Sequence, residues 1–87
     1  MAVRDDTVLE NLYEDLGEWA DLLTDEQQKR LGGLSDKLTE ANLNAWAATL
    51  SINIRNVLDT ARDVFLEAGG TLEEFLEAVR ETAKTLS

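Results

Sequence analysis

Apolar residues recur along the chain at steps of three and four, the spacing that places them on one face of an α-helix. The first stripe predicts a helix from about Asp6 to Leu23, and Asp5 and Asp6 suit its positively polarised start. Gly17 lies inside this helix, where glycine costs about 1 kcal/mol, and we interpret it as the mark of a close helix crossing. The stripe consists of Leu9, Leu12, Leu16, Trp19 or Ala20, and Leu23.

Two capping boxes predict where further helices begin. Thr24 is followed three residues later by Gln27, and Thr71 is followed by Glu74, so that in each pair side chain and backbone can exchange hydrogen bonds. The first box predicts a second helix after residue 24. The second box predicts the last helix, whose stripe consists of Leu72, Phe75 or Leu76, Val79, Ala83 and Leu86.

Glycine pairs predict two joints between helices. At Gly32-Gly33 we favour a break followed by a short turn or helix at Ser35–Leu38, although the surrounding leucines keep helical spacing. At Gly69-Gly70 a long helix ends, and one of these glycines suits the left-handed cap. Proline, the other common helix breaker, does not occur in the chain.

Between these joints the pattern predicts one long helix, from about Thr39 to Ala68. Its section Ala41–Ile54 has no charged residue and is apolar on nearly every side, which is typical of a helix buried by several neighbours. We therefore expect the helix through Trp46 and Leu58 to be the centre of the bundle, or a dimer seam, and we expect a homodimer. The stripe consists of Leu43, Trp46, Leu50, Ile54, Val57, Leu58, Ala61, Phe65 and Ala68.

The predicted fold is all-α, a compact bundle of four or five helices in a single domain over residues 1–87. The longest uncharged run is shorter than the about 20 residues that a membrane span requires. The N-terminus lacks an apolar signal segment. These features predict a cytoplasmic protein without a membrane partner.

Histidine and cysteine are both absent from the sequence. The chain therefore lacks the commonest general base, the commonest metal ligand and any thiolate nucleophile. Carboxylates remain, but surface glutamates at helical spacing rarely have the shifted pKa values that acid–base catalysis needs. We expect no enzymatic activity, no metal and no cofactor.

The charge of the chain is concentrated in its first third. Eighteen acids and eight bases give a net charge of −10. Residues 1–28 hold nine acids and one base, a net charge of −8, whereas residues 29–87 hold nine acids and seven bases, a net charge of −2. Such a chain disfavours direct binding to nucleic acid or anionic membrane and favours a basic protein partner.

The acids of the first helix fall on the face opposite its leucines, and we call Glu10, Glu14, Glu18 and Asp21 the acidic row. Two interpretations stand: a solvated face of an acidic protein, or a docking face for a basic partner. We expect most aromatic residues to pack in the core, and Tyr13 is the first candidate for a partly exposed anchor at an interface. The candidate partner-binding residues are Glu10, Glu14, Glu18, Asp21 and Asp25.

Three hypotheses for the function follow, and each requires a different structure. The first is an interaction module (an adaptor, regulator or inhibitor) that binds a protein partner; binding by an apolar face would need an exposed patch of a few hundred Å². The second is a mimic of nucleic acid that inhibits a DNA- or RNA-binding protein, as phage anti-defence proteins do. It requires an exposed acidic row that is not paired with Lys37, Arg55 or Arg62.

The third hypothesis is a helix-turn-helix regulator. The recognition helix would be Ile54–Phe65, and the residues whose spacing approximates the motif are Ala47, Leu50, Ser51, Ile52 and Val57. This hypothesis requires a break in the long helix at residues 51–53.

Overall fold

Five α-helices make up the molecule in a computed structural model that describes the backbone of residues 6–86 and the side chains of residues 7–86. No strand occurs in this range, and the predicted all-α bundle is confirmed. The predicted cap at Asp5 lies outside the described residues. The helices are α1 (Asp6–Asp21), α2 (Asp25–Leu34), α3 (Glu40–Ala47), α4 (Ile52–Glu67) and α5 (Leu72–Lys84), with a short 3-10 helix at Ser35–Lys37 between α2 and α3.

The joint between α1 and α2 is held by side-chain hydrogen bonds. The Thr24 amide donates to Gln27 Oε1 over 2.9 Å, and the Gln27 amide donates to Thr24 Oγ1 over 3.2 Å, which confirms the first capping box. Gln28 Nε2 donates to the Ala20 carbonyl over 2.9 Å and so partners an acceptor at the end of α1. Helix α1 ends at Asp21, two residues before the predicted Leu23.

The break predicted at Gly32-Gly33 is wrong, because α2 continues through both glycines to Leu34. Leu31 and Gly32 are buried, and the Ser35 hydroxyl donates to the Gly32 carbonyl over 2.8 Å. Burial of this turn therefore offsets the poor helix propensity of glycine. The short helix predicted at Ser35–Leu38 is present as the 3-10 helix.

The single long helix predicted from Thr39 to Ala68 is also wrong, because the chain breaks at residues 48–51 and forms α3 and α4. The hydroxyl of Thr49 donates to the Trp46 carbonyl over 2.6 Å, and Ser51 has extended backbone angles. Such local hydrogen bonds compete with helix continuation. The break turns Leu50 into the core and leaves Ile52 exposed.

The apolar section Ala41–Ile54 is not the centre of the bundle. Helix α1 packs on α4 and α5, and α5 also packs on α2, whereas α3 makes only sparse contacts with each of the other helices. Leu12, Leu16 and Trp19 are almost inaccessible to solvent. The close crossing predicted at Gly17 is wrong, since no atom lies within 4 Å of a Cβ placed there.

The joint between α4 and α5 depends on its two glycines. Gly69 has φ of 101°, which confirms the predicted left-handed cap. A Cβ at Gly70 would overlap the ring of Phe65, so the backbone can pass that ring only without a side chain. The Thr71 hydroxyl then accepts from the Glu74 amide over 3.2 Å, which confirms the second capping box.

Two side-chain contacts connect distant parts of the core. The indole rings of Trp19 and Trp46 meet edge to face, with 5.6 Å between centroids and 88° between planes, and join α1 to α3. Neither indole nitrogen has a hydrogen-bond partner within the described residues. Arg80 of α5 donates to the Leu38 carbonyl from Nε over 3.3 Å and from a terminal nitrogen over 2.9 Å.

Candidate partner-binding surface

All five predicted partner-binding residues are exposed. The acidic row lies on α1, on the side opposite the buried Leu12, Leu16 and Trp19, as about 100° of rotation per residue requires. Asp25 lies at the start of α2, beyond the turn that follows α1. The structure therefore places four of the five residues on one helix face and the fifth on the next helix.

No basic side chain of the described residues lies within 4.0 Å of a carboxylate of the acidic row. Arg62, one of the cations that could have crossed to it, instead lies 3.7 Å from Asp59 and 3.8 Å from Asp63 on its own helix. Mimicry of nucleic acid required this lack of pairing. The row is thus open to cations of a partner.

The charges of the acidic row do not stabilise α1. The last turn of α1 carries Asp21 and no basic residue, although the negative end of the helix dipole favours cations. Neighbouring glutamates four residues apart, such as Glu10 and Glu14, repel by about 0.2–0.5 kcal/mol per pair. The charge pattern is therefore a small cost to the fold, which packing of the opposite face offsets.

A groove that the sequence did not reveal runs beside the acidic row, between α1 and α4. Two hollows, of about 300 Å³ and about 70 Å³, share Asp15 and Ala61 as lining residues and so form one continuous groove, which we call the α1–α4 groove. Its wall on α1 consists of Val8, Asn11, Leu12, Asp15 and Glu18. The opposite wall consists of Asn56, Val57, Thr60, Ala61, Val64 and Phe65 of α4 and of Ala68, which follows α4.

Valines of α4 give this groove an exposed apolar surface. The pattern placed Val57 in the core stripe, but 36% of it is exposed, and Val64 is 57% exposed. The signal for this groove in the sequence is the seven-residue spacing of the two valines, which two turns of a helix bring to one side. That signal can be recognised only once the packing partner of α4 is known.

A separate hollow, of about 470 Å³, lies between α2 and α3 and has the opposite charge. Arg30 and Lys37 line it together with Leu34 and Trp46. No acid contributes to its lining. A basic partner is therefore disfavoured there, and the negative surface of α1 remains the candidate site.

On the other side of α1, Tyr13 lies in a hollow that Glu81 of α5 also lines. The phenol is 40% exposed, in agreement with its predicted position at the surface. Partial burial, and then the negative charges of Glu81 and Glu77, raise the pKa of Tyr13 above its ordinary value of 10.0. Tyr13, a residue of α1, thus experiences the negative potential of α5.

The long helix does break, but at residues 48–51 and not at the 51–53 that a helix-turn-helix required, and the charge of α4 does not suit a recognition helix. Asp63 and Glu67 are exposed on it, and Arg62 lies close to two aspartates. Contacts to phosphates supply most of the affinity for DNA, and these acids would repel them. Binding of DNA by α4 stays a prediction that the electrostatics disfavour.

Within residues 7–86, no group of three or more potential metal-ligating side chains comes together. None of the helices described is both long and apolar enough to cross a membrane. No protein-family model, curated protein or solved structure matches the chain.

Proposed function

We propose that the protein is a small acidic interaction module, an adaptor, regulator or inhibitor, which binds a basic segment of a protein partner through the acidic row. The observation that carries the proposal is the row itself: four exposed carboxylates on one helix face, with no cation of the described residues beside them. Lysines or arginines of a partner would relieve the repulsion within the row, which the fold itself leaves in place.

The asymmetry of charge also favours fast and oriented association. Residues 1–28 carry a net charge of −8, and the acidic row concentrates negative charge on one face of α1. The field of such a face raises the rate at which a basic partner arrives and loses its effect as salt screens it over about 10 Å. Strong dependence on salt is therefore the expected signature of this function.

Mimicry of nucleic acid is the second candidate, and the charge density of the row favours it. From Glu10 to Asp21 four carboxylates span about 16 Å of helix axis. One strand of B-DNA carries a phosphate every about 3.4 Å, or about five over the same length. The partner would then be a DNA- or RNA-binding protein, which the chain inhibits by occupying its nucleic-acid site.

The experiment compares capture of partners from a lysate of the source organism at low and high salt. The test variant carries Glu10→Gln, Glu14→Gln and Glu18→Gln. Its matched control carries Asp36→Asn, Glu40→Gln and Glu67→Gln, three exposed acids elsewhere on the fold, so that both variants lose the same charge. We expect a basic partner that the control retains and that the test variant and high salt release.

Equal capture by the test variant and the wild type would contradict the proposal, and so would equal loss with both variants, which would indicate an effect of net charge alone. Added duplex DNA separates the two candidates. A partner that DNA displaces supports mimicry, whereas a partner that ignores DNA supports the adaptor or regulator.

A further inference from the structure

The α1–α4 groove combines an apolar floor with negative charge. Val8 at one end of the groove faces Val64 and Ala68, while Glu18 at the other end faces Asn56 and Val57, so the two helices run in opposite directions. From Val8 to Glu18 the wall on α1 extends for about 15 Å. That length accommodates about three turns of an added helix.

Exposed apolar side chains occur on the floor at helical spacing. Val57 and Val64 are seven residues apart, about 10 Å along the axis of α4. Between them lies Ala61, whose small side chain leaves room above it. Peptide helices that enter grooves use anchors at spacings such as i, i+3, i+4 and i+7, and the two valines match the outer pair.

The charge of the groove has one sign. Asp15 and Glu18 belong to its lining, which includes no lysine or arginine. Arg62 forms ion pairs with Asp59 and Asp63 on its own helix. An acidic helix, a nucleic acid or a second copy of this chain, with its net charge of −10, would meet repulsion in the groove.

We propose that the α1–α4 groove binds a basic amphipathic α-helix of the protein partner, with the apolar anchors of that helix on Val57 and Val64 and its lysines or arginines beside Asp15 and Glu18. This inference rests on the proposed function, because it names the kind of segment that the negative side of α1 recognises. Apolar anchors give the complex its affinity, and charge selects and orients the helix.

The test uses two synthetic peptides of about four helical turns, both with blocked termini. One has leucines on a single face at the spacing of the two valines and lysines on the flanks. The other has the same composition in shuffled order, so that it keeps the charge and loses the apolar face. Each is titrated into the isotope-labelled protein, and NMR follows the methyl groups of all valines, leucines and isoleucines.

We expect the amphipathic peptide to bind about tenfold more tightly than the shuffled one, with the largest shifts at Val57 and Val64. A variant with Val57→Ser and Val64→Ser should bind the amphipathic peptide about tenfold more weakly than the wild type does. The matched control carries Ile52→Ser and Leu66→Ser, two exposed apolar residues that do not line the groove, and it should bind as the wild type does.

Equal affinity for both peptides, or unchanged binding by the valine variant, would contradict the proposal that the groove binds an amphipathic helix. If Glu10→Gln, Glu14→Gln and Glu18→Gln together still weaken both peptides in that case, the acidic row binds basic chains by charge alone and the proposed function survives. If the three changes have no effect, both proposals fail. Dimerisation of the free protein that the valine changes abolish would identify a second copy as the occupant and overturn the inference.

Discussion

Helices α1 and α5 both bury an apolar face, but their outer faces differ in charge. Each packs its apolar side into the core, and the two helices contact each other. On α5 the acids alternate with cations: Arg80 lies 2.8 Å from Glu77, and Lys84 lies 3.8 Å from Glu81. From residue 7 onward α1 carries acids and no cation at all.

This difference shows that the fold does not need the acidic row. Helix α5 demonstrates that interleaved charges suit an outer face of this bundle, and they add about 0.2–0.5 kcal/mol per pair. Helix α1 forgoes that gain and retains a negative surface beside a groove. Fold stability therefore does not explain the charge pattern of α1, which agrees with the proposed binding role, and changes that make the two helices more or less alike test this comparison.

The largest effect is expected at the inner faces, where the two helices should be equivalent. Trp19→Ala on α1 and Phe75→Ala on α5 each remove a fully buried ring and should lower the free energy of unfolding by about 3–5 kcal/mol. Trp19→Phe should cost much less, because the indole nitrogen has no hydrogen-bond partner to lose within the described residues. Urea unfolding measures all three. A loss well below that range for either alanine variant would break the equivalence.

Arg80→Ala makes α5 resemble α1, because it removes a cation from the outer face. It also removes two hydrogen bonds to the Leu38 carbonyl, so the free energy of unfolding should fall by about 1–2 kcal/mol. Arg80→Lys should recover only part of this loss, since lysine cannot donate from two fixed positions. Full recovery with lysine, measured by urea unfolding, would show that only the charge matters.

Glu14→Lys makes α1 resemble α5. It replaces two repulsive contacts, with Glu10 and Glu18, by two attractive ones and should raise the free energy of unfolding by about 0.5–1 kcal/mol at low salt. Glu14→Gln serves as the control and should give about half of that gain. Thermal unfolding at low and high salt checks both variants. Destabilisation by lysine would mean that the row interacts favourably within the fold.

The smallest effect concerns Tyr13, the only tyrosine, which lies between the two helices. Its raised pKa means that folding favours the protonated phenol. This contribution to stability is complete below the ordinary pKa of 10.0 and is lost as the pH rises through the pKa of the folded protein. Tyrosinate absorbance against pH should give a value above the ordinary one, and Glu81→Gln should lower it. An ordinary pKa in the wild type would contradict the contact with α5.

Local signals in the sequence predicted the ends of several elements correctly. Both capping boxes form as predicted, because the donor and the acceptor lie three residues apart and need no other part of the fold. Gly69 adopts the left-handed cap for a similarly local reason. The exposure of the acidic row also followed from helical periodicity alone.

The errors concern features that depend on tertiary packing. Residues 48–51 have a helical spacing of apolar positions, yet turning Leu50 into the core requires a break there. Gly32-Gly33 resembles a stop signal, but burial of Leu31 keeps the helix intact. The α1–α4 groove could not be predicted at all, because a sequence does not say which side of α4 its neighbour leaves uncovered.

The contact between Trp19 and Trp46 makes the fluorescence of the protein sensitive to the movement of α3. These are the only tryptophans of the chain, and they join α1 to α3, a helix that makes only sparse contacts with each of the other helices. If α3 opens before the rest unfolds, the indole fluorescence should change while the helical circular dichroism stays almost constant. The tryptophan fluorescence of the unlabelled protein would then report the separation of α3 from α1 directly.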